Sequence, residues 1–216
     1  MKVFARGLLA LIAGVGLLMG AVGCDSQEED PAQLRVVHAV PGADGIDFYI
    51  DFELFTRALT FRQASPYQRW DPGLRRLEVR SVGSSDAVTT REVVIDAEEA
   101  YTFVVTGSMN AEAVLVLEDD RTTPPSGIAR LRMVHAAPNV SAYGFSALED
   151  GGGSNFSATL TGVGSTSPVF SAPAGAYTIE ILPPSGPPIT LTETFESGIS
   201  YLVVATNSVA FIVTDG

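Results

Sequence analysis

Hydrophobic and polar residues fall into short alternating runs along the chain, and one of these runs occurs twice. Leu-Arg-Val-Val-His-Ala-Val-Pro at 34–41 returns as Leu-Arg-Met-Val-His-Ala-Ala-Pro at 131–138. Each copy is an apolar run that ends at a proline, a pattern that predicts a β-strand leading into a turn. The only two histidines of the protein, His38 and His135, occupy the same place in the two copies.

Further segments match in the same order, which indicates that a whole domain is repeated. The matching pairs are 65–66 with 167–168, 77–79 with 179–181, 100–105 with 200–205, and 115–119 with 211–215. A repeat of this length is too long for a solenoid unit and fits a small domain. The sequence therefore predicts a tandem of two related domains.

The alternation predicts six or seven short strands in each repeat and no helix. Its clearest example is Arg-Leu-Glu-Val-Arg at 76–80, which is typical of a half-buried antiparallel strand. Residues 52–62 fit neither period, so we expect an irregular strand or a short helical turn over one end of the core. Short strands separated by frequent turns predict an all-β fold of two tandem immunoglobulin-like antiparallel β-sandwich domains.

Composition places the boundaries of these domains. The first repeat is expected at 34–120, a Pro-rich linker at 121–127 and the second repeat at 128–216. Adjacent prolines should keep the linker extended and stiff. Domains of this size bury only about 60–65% of their unfolded surface. Since a single cysteine permits no internal disulfide, we expect the two domains to pack on each other.

The N-terminus carries the pattern of an exported lipoprotein. Lys2 and Arg6 precede an apolar run, and Ala-Val-Gly-Cys at 21–24 resembles a bacterial lipobox. This predicts a signal peptide at 1–23, lipid on Cys24 and an acidic flexible tether at 24–33. The protein is then anchored to a bacterial membrane on the exported side, with inner and outer membrane both open. The alternative is an uncleaved N-terminal helix with an idle thiol.

Charge narrows the range of partners. The formal net charge is -12, so nucleic acid is excluded as a partner. No arginine follows Arg132, so the only charged side chains of the second repeat beyond that residue are acidic. Either this reflects compositional drift, or the two domains face different neighbours.

Several phrases resemble the bacterial family known as domain of unknown function 4397. They are Val-His-Ala-x-Pro, Ile-Asp-Phe-Tyr-Ile-Asp at 46–51, Ala-Tyr-Thr at 100–102 and Leu-Val-Leu-Glu-Asp-Asp at 115–120. The second repeat matches less well, because Tyr143-Gly144-Phe145 replaces the Asp-rich strand and the acidic ending is missing. The resemblance implies an exported or anchored β-sandwich protein and implies no chemistry.

No motif indicates catalysis. The sequence lacks a Gly-x-Ser-x-Gly elbow, a P-loop, a dinucleotide fingerprint and His-Glu-x-x-His, so no catalytic residue, cofactor or metal is predicted. Strand parity places His38 and His135 on apolar faces, which favours a structural role in holding the next turn. The alternatives are a metal ligand and a catalytic base.

Two clusters remain as candidate binding sites. Asp44, Asp47 and Asp51 offer oxygen ligands for calcium, although turn formation by Asp44-Gly45 also explains the first of them. Arg69, Trp70, Arg75 and Arg76 form a basic, aromatic patch. This patch either binds an acidic polysaccharide or protein, or balances the acids of its own domain.

We therefore expect a non-catalytic, lipid-anchored cell-envelope protein that binds a protein or glycan partner or spaces other modules. The alternative is an envelope hydrolase that uses a carboxylate or a histidine.

Overall fold

The computed structural model describes residues 30–108, 111–153 and 155–215. The predicted signal peptide, Cys24 and most of the predicted tether lie outside these residues. Within them the chain forms sixteen β-strands and no helix. The all-β class is confirmed, whereas the alternation predicted six or seven strands in each repeat and the structure has eight. None of the described residues belongs to a helix long and apolar enough to span a membrane.

The strands divide into two sets of eight. The first set is β1 (Ala32–His38), β2 (Ile46–Ile50), β3 (Glu53–Leu59), β4 (Gln68–Trp70), β5 (Gly73–Ser81), β6 (Ala87–Ile95), β7 (Ala100–Ser108) and β8 (Ala111–Asp119). The second set is β9 (Ile128–His135), β10 (Ala142–Glu149), β11 (Asn155–Thr161), β12 (Phe170–Pro173), β13 (Gly175–Leu182), β14 (Ile189–Phe195), β15 (Ser200–Ala205) and β16 (Ala210–Asp215).

Each set forms one β-sandwich of two four-stranded sheets. In sandwich 1 the sheets have the orders β4-β1-β7-β8 and β3-β2-β5-β6. In sandwich 2 they are β12-β9-β15-β16 and β11-β10-β13-β14, which is the same order repeated. No sheet takes strands from both sets, so the all-β double sandwich is confirmed without exchange of strands between the repeats.

One pairing in each sandwich is parallel. β1 lies beside β7 with Arg35 opposite Thr102, and β9 lies beside β15 with Arg132 opposite Leu202. The other strand pairs are antiparallel, including the pairing of β1 with β4. These two parallel pairs depart from the expected antiparallel sandwiches, because the alternation pattern carries no information on strand direction.

The segment predicted to be irregular is the edge strand β3. Its pairing with β2 shifts register after Ile46 and again after Phe48, and Phe52 and Ala58 both have positive φ. The short edge strands β4 and β12 were not predicted. They contain three and four residues and are too short to show a period.

A hydrophobic core fills each sandwich. Core 1 includes Leu34, Phe48, Leu77 and Phe103, and core 2 includes Leu131, Phe145, Ile179 and Val203. The repeated tyrosines close one corner of each core. The Tyr101 hydroxyl donates to Asp96 Oδ2 at 3.2 Å, and the Tyr201 hydroxyl accepts from the Glu196 amide at 2.8 Å. Both contacts reach back five residues, in the manner of a tyrosine corner.

A third hydrophobic cluster joins the two sandwiches. It combines residues of the sheet that contains β1 with residues of the sheet that contains β9, and we call these the inner sheets and their contact the seam. Its fully buried members are Val37, Ala39, Val104, Val134 and Val204. The inner sheets are therefore covered on both faces, which explains why their central strands are apolar almost without interruption. The molecule has four layers of sheet.

Polar contacts across the seam obey an approximate two-fold relationship. Arg35 donates to the carbonyl of Thr214 at 3.2 Å, and Arg132 donates to the carbonyl of Glu118 at 2.7 Å. Arg35 corresponds to Arg132 in the repeat, and Glu118 corresponds to Thr214. In addition, Thr106 Oγ1 donates to the carbonyl of Ala136. The seam therefore resembles an isologous dimer interface within one chain.

Candidate functional site

Both histidines are fully buried, with no solvent exposure. His38 Nδ1 accepts from the Val40 amide at 3.2 Å, and its Nε2 lies 3.1 Å from the Asp44 carbonyl, to which it donates as the Nε2–H tautomer. The imidazole thereby joins the end of β1 to the following turn, the role that the sequence favoured. Burial lowers the pKa of His38, and the hydrogen bond with Asp44 opposes that shift only in part.

His135 makes only the first of these contacts. Its Nδ1 accepts from the Ala137 amide at 3.3 Å, whereas its buried Nε2 makes no bond of normal geometry and has only a weaker contact with the backbone of Val140. The ring packs against Tyr143 with centroids 4.8 Å apart. Burial also lowers the pKa of His135. Neither imidazole touches solvent, so neither reaches a dissolved substrate.

The three aspartates proposed for calcium each have a separate partner. Asp47 Oδ1 accepts from the Ala58 amide at 2.8 Å, and Asp51 pairs with Arg75 at 3.0 Å. Asp44 uses its carbonyl to receive His38. No group of three or more His, Cys, Asp or Glu side chains within the described residues is arranged to hold a metal ion.

The basic patch is divided between two structural settings. Arg69, Trp70 and Arg75 line one pocket of about 350 Å³, which we call the edge pocket because it lies where β3 and β4 form the sandwich edges. Its remaining lining residues are Asp51, Glu53 and Asp71. The sequence alone does not assign these carboxylates to the basic patch. In particular, Asp71 is explained by its place in the Asp71-Pro72-Gly73 turn.

The walls of the edge pocket are held by the fold. Arg75 donates to Asp51 Oδ2 at 3.0 Å and to the carbonyls of Asp71 and Pro72 at 3.0 and 2.7 Å, so it fixes the turn that bears Asp71. Trp70 is half-buried, and its ring packs edge-to-face on Phe55 at 5.7 Å between centroids. Arg69, in contrast, is exposed, and its guanidinium has no partner among the described residues.

Arg76 points away from the edge pocket, onto the outer face of sandwich 1. Its Nε lies 2.8 Å from Glu78 Oε1, and Arg80 approaches Oε2 of the same carboxylate at 2.6 Å. The two guanidinium groups stack on Phe52 and Tyr49, with 4.9 and 4.1 Å to the ring centroids. These arginines neutralise Glu78, which is only 2% exposed, so Arg76 is engaged by an acid of its own sandwich.

The fold and the edge pocket together define a class: a tandem β-sandwich protein with a small, mixed-charge pocket at a sheet edge. The chain belongs to the family described as Domain of unknown function (DUF4397), whose model matches residues 32–143. The match covers sandwich 1 and continues through β9 into β10. No curated protein matches the chain.

Three solved structures have a distant likeness to the chain. The Bacillus anthracis TIE protein is 9% identical, with 84% of this chain and 34% of that chain covered at a TM-score of 0.29. The module CBMbc (family CBM26) of Eubacterium rectale Amy13K, in complex with maltoheptaose, is 7% identical. The match covers 86% of this chain and 97% of that chain at a TM-score of 0.27. A leucine-rich repeat protein from Bacteroides thetaiotaomicron is 10% identical. The match covers 83% of this chain and 26% of that chain at a TM-score of 0.20. The chain spans about a third of the first of these, and such values carry no inference about ligands.

Proposed function

We propose that this chain is a non-catalytic binding module of the cell envelope, anchored by lipid on Cys24, and that its edge pocket binds a neutral glycan. The observation that carries the proposal is the composition of that pocket. A half-buried indole, three carboxylates and two guanidinium groups line a volume of about 350 Å³.

A neutral sugar presents hydroxyl groups, which both donate and accept, and an apolar face of C–H bonds. The carboxylates of Glu53 and Asp71 accept from hydroxyls, and the guanidinium of Arg69 donates to them. Asp51 is already bonded to Arg75 and to the Arg76 amide, and it contributes chiefly negative charge. The indole of Trp70 offers an apolar surface on which a sugar ring packs. An anionic ligand fits less well, because the carboxylates outnumber the guanidinium groups and Arg75 is already engaged.

The pocket also meets the requirement for a fixed binding geometry. Arg75 holds the 71–73 turn, and the edge-to-face contact with Phe55 holds Trp70. Groups that are held before the ligand arrives lose less conformational entropy on binding, which favours affinity. The edge pocket therefore has two preorganised walls and one mobile donor, Arg69.

The proposed anchor places the edge pocket near the membrane. Ala32, the first residue of β1, pairs with Trp70 in β4, so the chain enters sandwich 1 beside the pocket. The eight residue-to-residue steps from Cys24 to Ala32 span at most about 28 Å when fully extended. A ligand in the edge pocket then lies within a few tens of ångströms of the bilayer surface, where envelope glycans are found.

Glycan-array screening of the detergent-solubilised full chain, followed by titration calorimetry, tests this proposal. Trp70→Ala and Asp71→Asn should each weaken binding by about tenfold or more, since each removes a direct contact. Asp86→Asn is the matched control, because Asp86 is an exposed aspartate outside the edge pocket. Absence of saturable glycan binding, or undiminished affinity in Trp70→Ala, would overturn the proposal. Release of reducing ends from a bound glycan would support the hydrolase alternative instead.

A further inference from the structure

Two pockets lie at the seam, in positions that the approximate two-fold relationship exchanges. The first, of about 570 Å³, is lined among others by Arg35, Tyr67 and Asp215. The second, of about 620 Å³, is lined among others by the equivalent residues Arg132, Val169 and Asp119. Both volumes fall within the range of about 300–1,000 Å³ typical of small-ligand sites, and domain interfaces are a common place for such sites.

The two pockets have opposite charge. The lining of the first includes Arg35, Arg62 and Arg121 and one carboxylate, Asp215, and we call it the cationic seam pocket. The carboxylate of Asp119 lies beside this lining, bonded to Tyr67, and Arg121 is shared with the second pocket. The second contains five carboxylates against Arg121 and Arg132; the five are Glu98, Glu99, Glu118, Asp119 and Asp120. Since the whole chain has a net charge of -12, a local excess of positive charge is unusual for this molecule.

Two of the three arginines in the cationic seam pocket lack a close ion pair, although the charge of Arg121 acts on Asp215. Among the described residues, the guanidinium groups of Arg62 and Arg121 form neither a salt bridge nor a hydrogen bond. Both residues are exposed. Arg35, in contrast, is 4% exposed, pairs with Asp215 and donates through Nε to Thr102 Oγ1 at 2.7 Å. Arg62 and Arg121 are therefore the groups available to a ligand.

Aromatic rings hold both free guanidinium groups. The Arg121 guanidinium carbon lies 4.0 Å from the centroid of Tyr67, and that of Arg62 lies 6.0 Å from the centroid of Phe211. Tyr67 is itself fixed, because its hydroxyl donates to Asp119 Oδ2 at 2.9 Å and Arg35 stacks on its ring at 4.6 Å. Stacking on an aromatic ring leaves the edge of a guanidinium, with its N–H donors, free for an anion.

From this arrangement we infer that the cationic seam pocket binds a small anion with a carboxylate or phosphate head group. Arg62 and Arg121 donate to the anion, since the planar fork of a guanidinium matches both head groups. The ligand contacts both sandwiches, because Thr214 and Asp215 of sandwich 2 line the same pocket. This inference does not depend on glycan binding, since Arg62 and Arg121 lie outside the edge pocket.

Titration calorimetry of the full chain in detergent, with inorganic phosphate and with glucuronate at constant ionic strength, tests the inference. We expect one saturable site per chain for at least one of the two anions, and their order of affinity identifies the preferred head group. Arg62→Gln and Arg121→Gln should each weaken binding by about tenfold or more. Arg57→Gln removes an exposed arginine outside both the cationic seam pocket and the edge pocket, so it should leave the affinity unchanged.

The choice of variants protects the test against loss of folding. Arg121→Gln removes the stack on Tyr67, whereas Arg62→Gln leaves that stack intact, so a result from Arg62→Gln alone is decisive. Bound anion should also raise the melting temperature of the wild type and not that of the double variant. Failure of both anions to saturate by about 10 mM, or equal binding in the double variant, would overturn the inference.

Discussion

Arg35 and Arg132 occupy equivalent positions in the two repeats, and each crosses the seam to the last strand of the other sandwich. Arg35 reaches the carbonyl of Thr214, and Arg132 reaches that of Glu118. These reciprocal bonds border an apolar cluster that buries the inner faces of both inner sheets. Separating the two sandwiches would therefore expose this apolar cluster to water, and we expect the stabilities of the two halves to be coupled.

The first prediction concerns this coupling. Trp70 is the only tryptophan, so its fluorescence reports the unfolding of sandwich 1. Met133→Ala, in core 2, should destabilise the protein by about 2–5 kcal/mol and shift the urea transition of Trp70, although it lies in the other sandwich. Leu77→Ala, in core 1, is the matched control and shifts that transition in any case. If the midpoint of the Trp70 transition is the same in Met133→Ala as in the wild type, the two sandwiches unfold independently.

The second prediction concerns the proposed linker at 121–127. Arg121 is exposed between the last strand of sandwich 1 and the first strand of sandwich 2, so trypsin should cleave after it. The two fragments should nevertheless elute together in size-exclusion chromatography, because the seam contacts do not depend on the linker. They should separate in urea. Early cleavage within 88–107 would contradict the proposed boundary.

The third prediction separates the two histidines. His38→Ala leaves both the Val40 amide and the Asp44 carbonyl without their partner, and should cost about 1–3 kcal/mol in the free energy of unfolding. His135→Ala removes only the bond from the Ala137 amide and should cost less. Urea titration at neutral pH measures both values. Equal losses would contradict the expected difference between the two histidines, and a loss of partner binding at full stability would contradict a purely structural role.

Protonation provides an independent test of the same residues. Burial lowers the pKa of His38 and His135 below the ordinary value of 6.5, so the unfolded chain binds more protons than the folded chain just below that pH. Their contribution is complete above pH 6.5 and declines as the pH falls through the lowered values. Stability should therefore fall as the pH drops below about 6.5, and less steeply in His38→Gln. A flat profile in the wild type would show that these rings are not held neutral by burial.

The fourth prediction concerns the anchor. Cys24→Ala should abolish labelling with a fatty-acid analogue and block removal of residues 1–23, because the lipobox cysteine is the site of both reactions. Ser26→Ala is a control that leaves the cysteine in place. Mass spectrometry of the wild type checks the result directly. A wild-type protein recovered without lipid and with residues 1–23 attached would contradict the proposed localisation.

The alternation of apolar residues was sufficient to predict the all-β class and most strands, because side-chain burial on a sheet has a period of two. The alternation did not predict strands that are too short to show a period or whose register shifts. The edge strand β4 is Gln-Arg-Trp, and nothing in three residues distinguishes a strand from a loop. Residues 52–62 lack a period because the register shifts twice in the pairing of β3 with β2.

The candidate sites depended on contacts that a linear sequence does not contain. Arg69, Trp70 and Arg75 are close in sequence, and their common location was predictable. Arg62 and Arg121 are far apart in the chain and meet only because the seam brings the linker beside the turn after β3. The opposite charges of the two seam pockets likewise arise from packing, since each pocket combines residues of both repeats.

The position of β1 has a mechanical consequence for an anchored protein. β1 is an interior strand of its sheet, hydrogen-bonded in parallel to β7 on one side and in antiparallel fashion to β4 on the other. If the proposed tether pulls on Ala32 along the axis of this strand, the force is roughly perpendicular to the hydrogen bonds, so both rows of bonds share the load at once and do not open one after another. The proposed anchor would thus load this strand in shear, a geometry that suits a body which must hold its shape when a bound partner moves relative to the membrane.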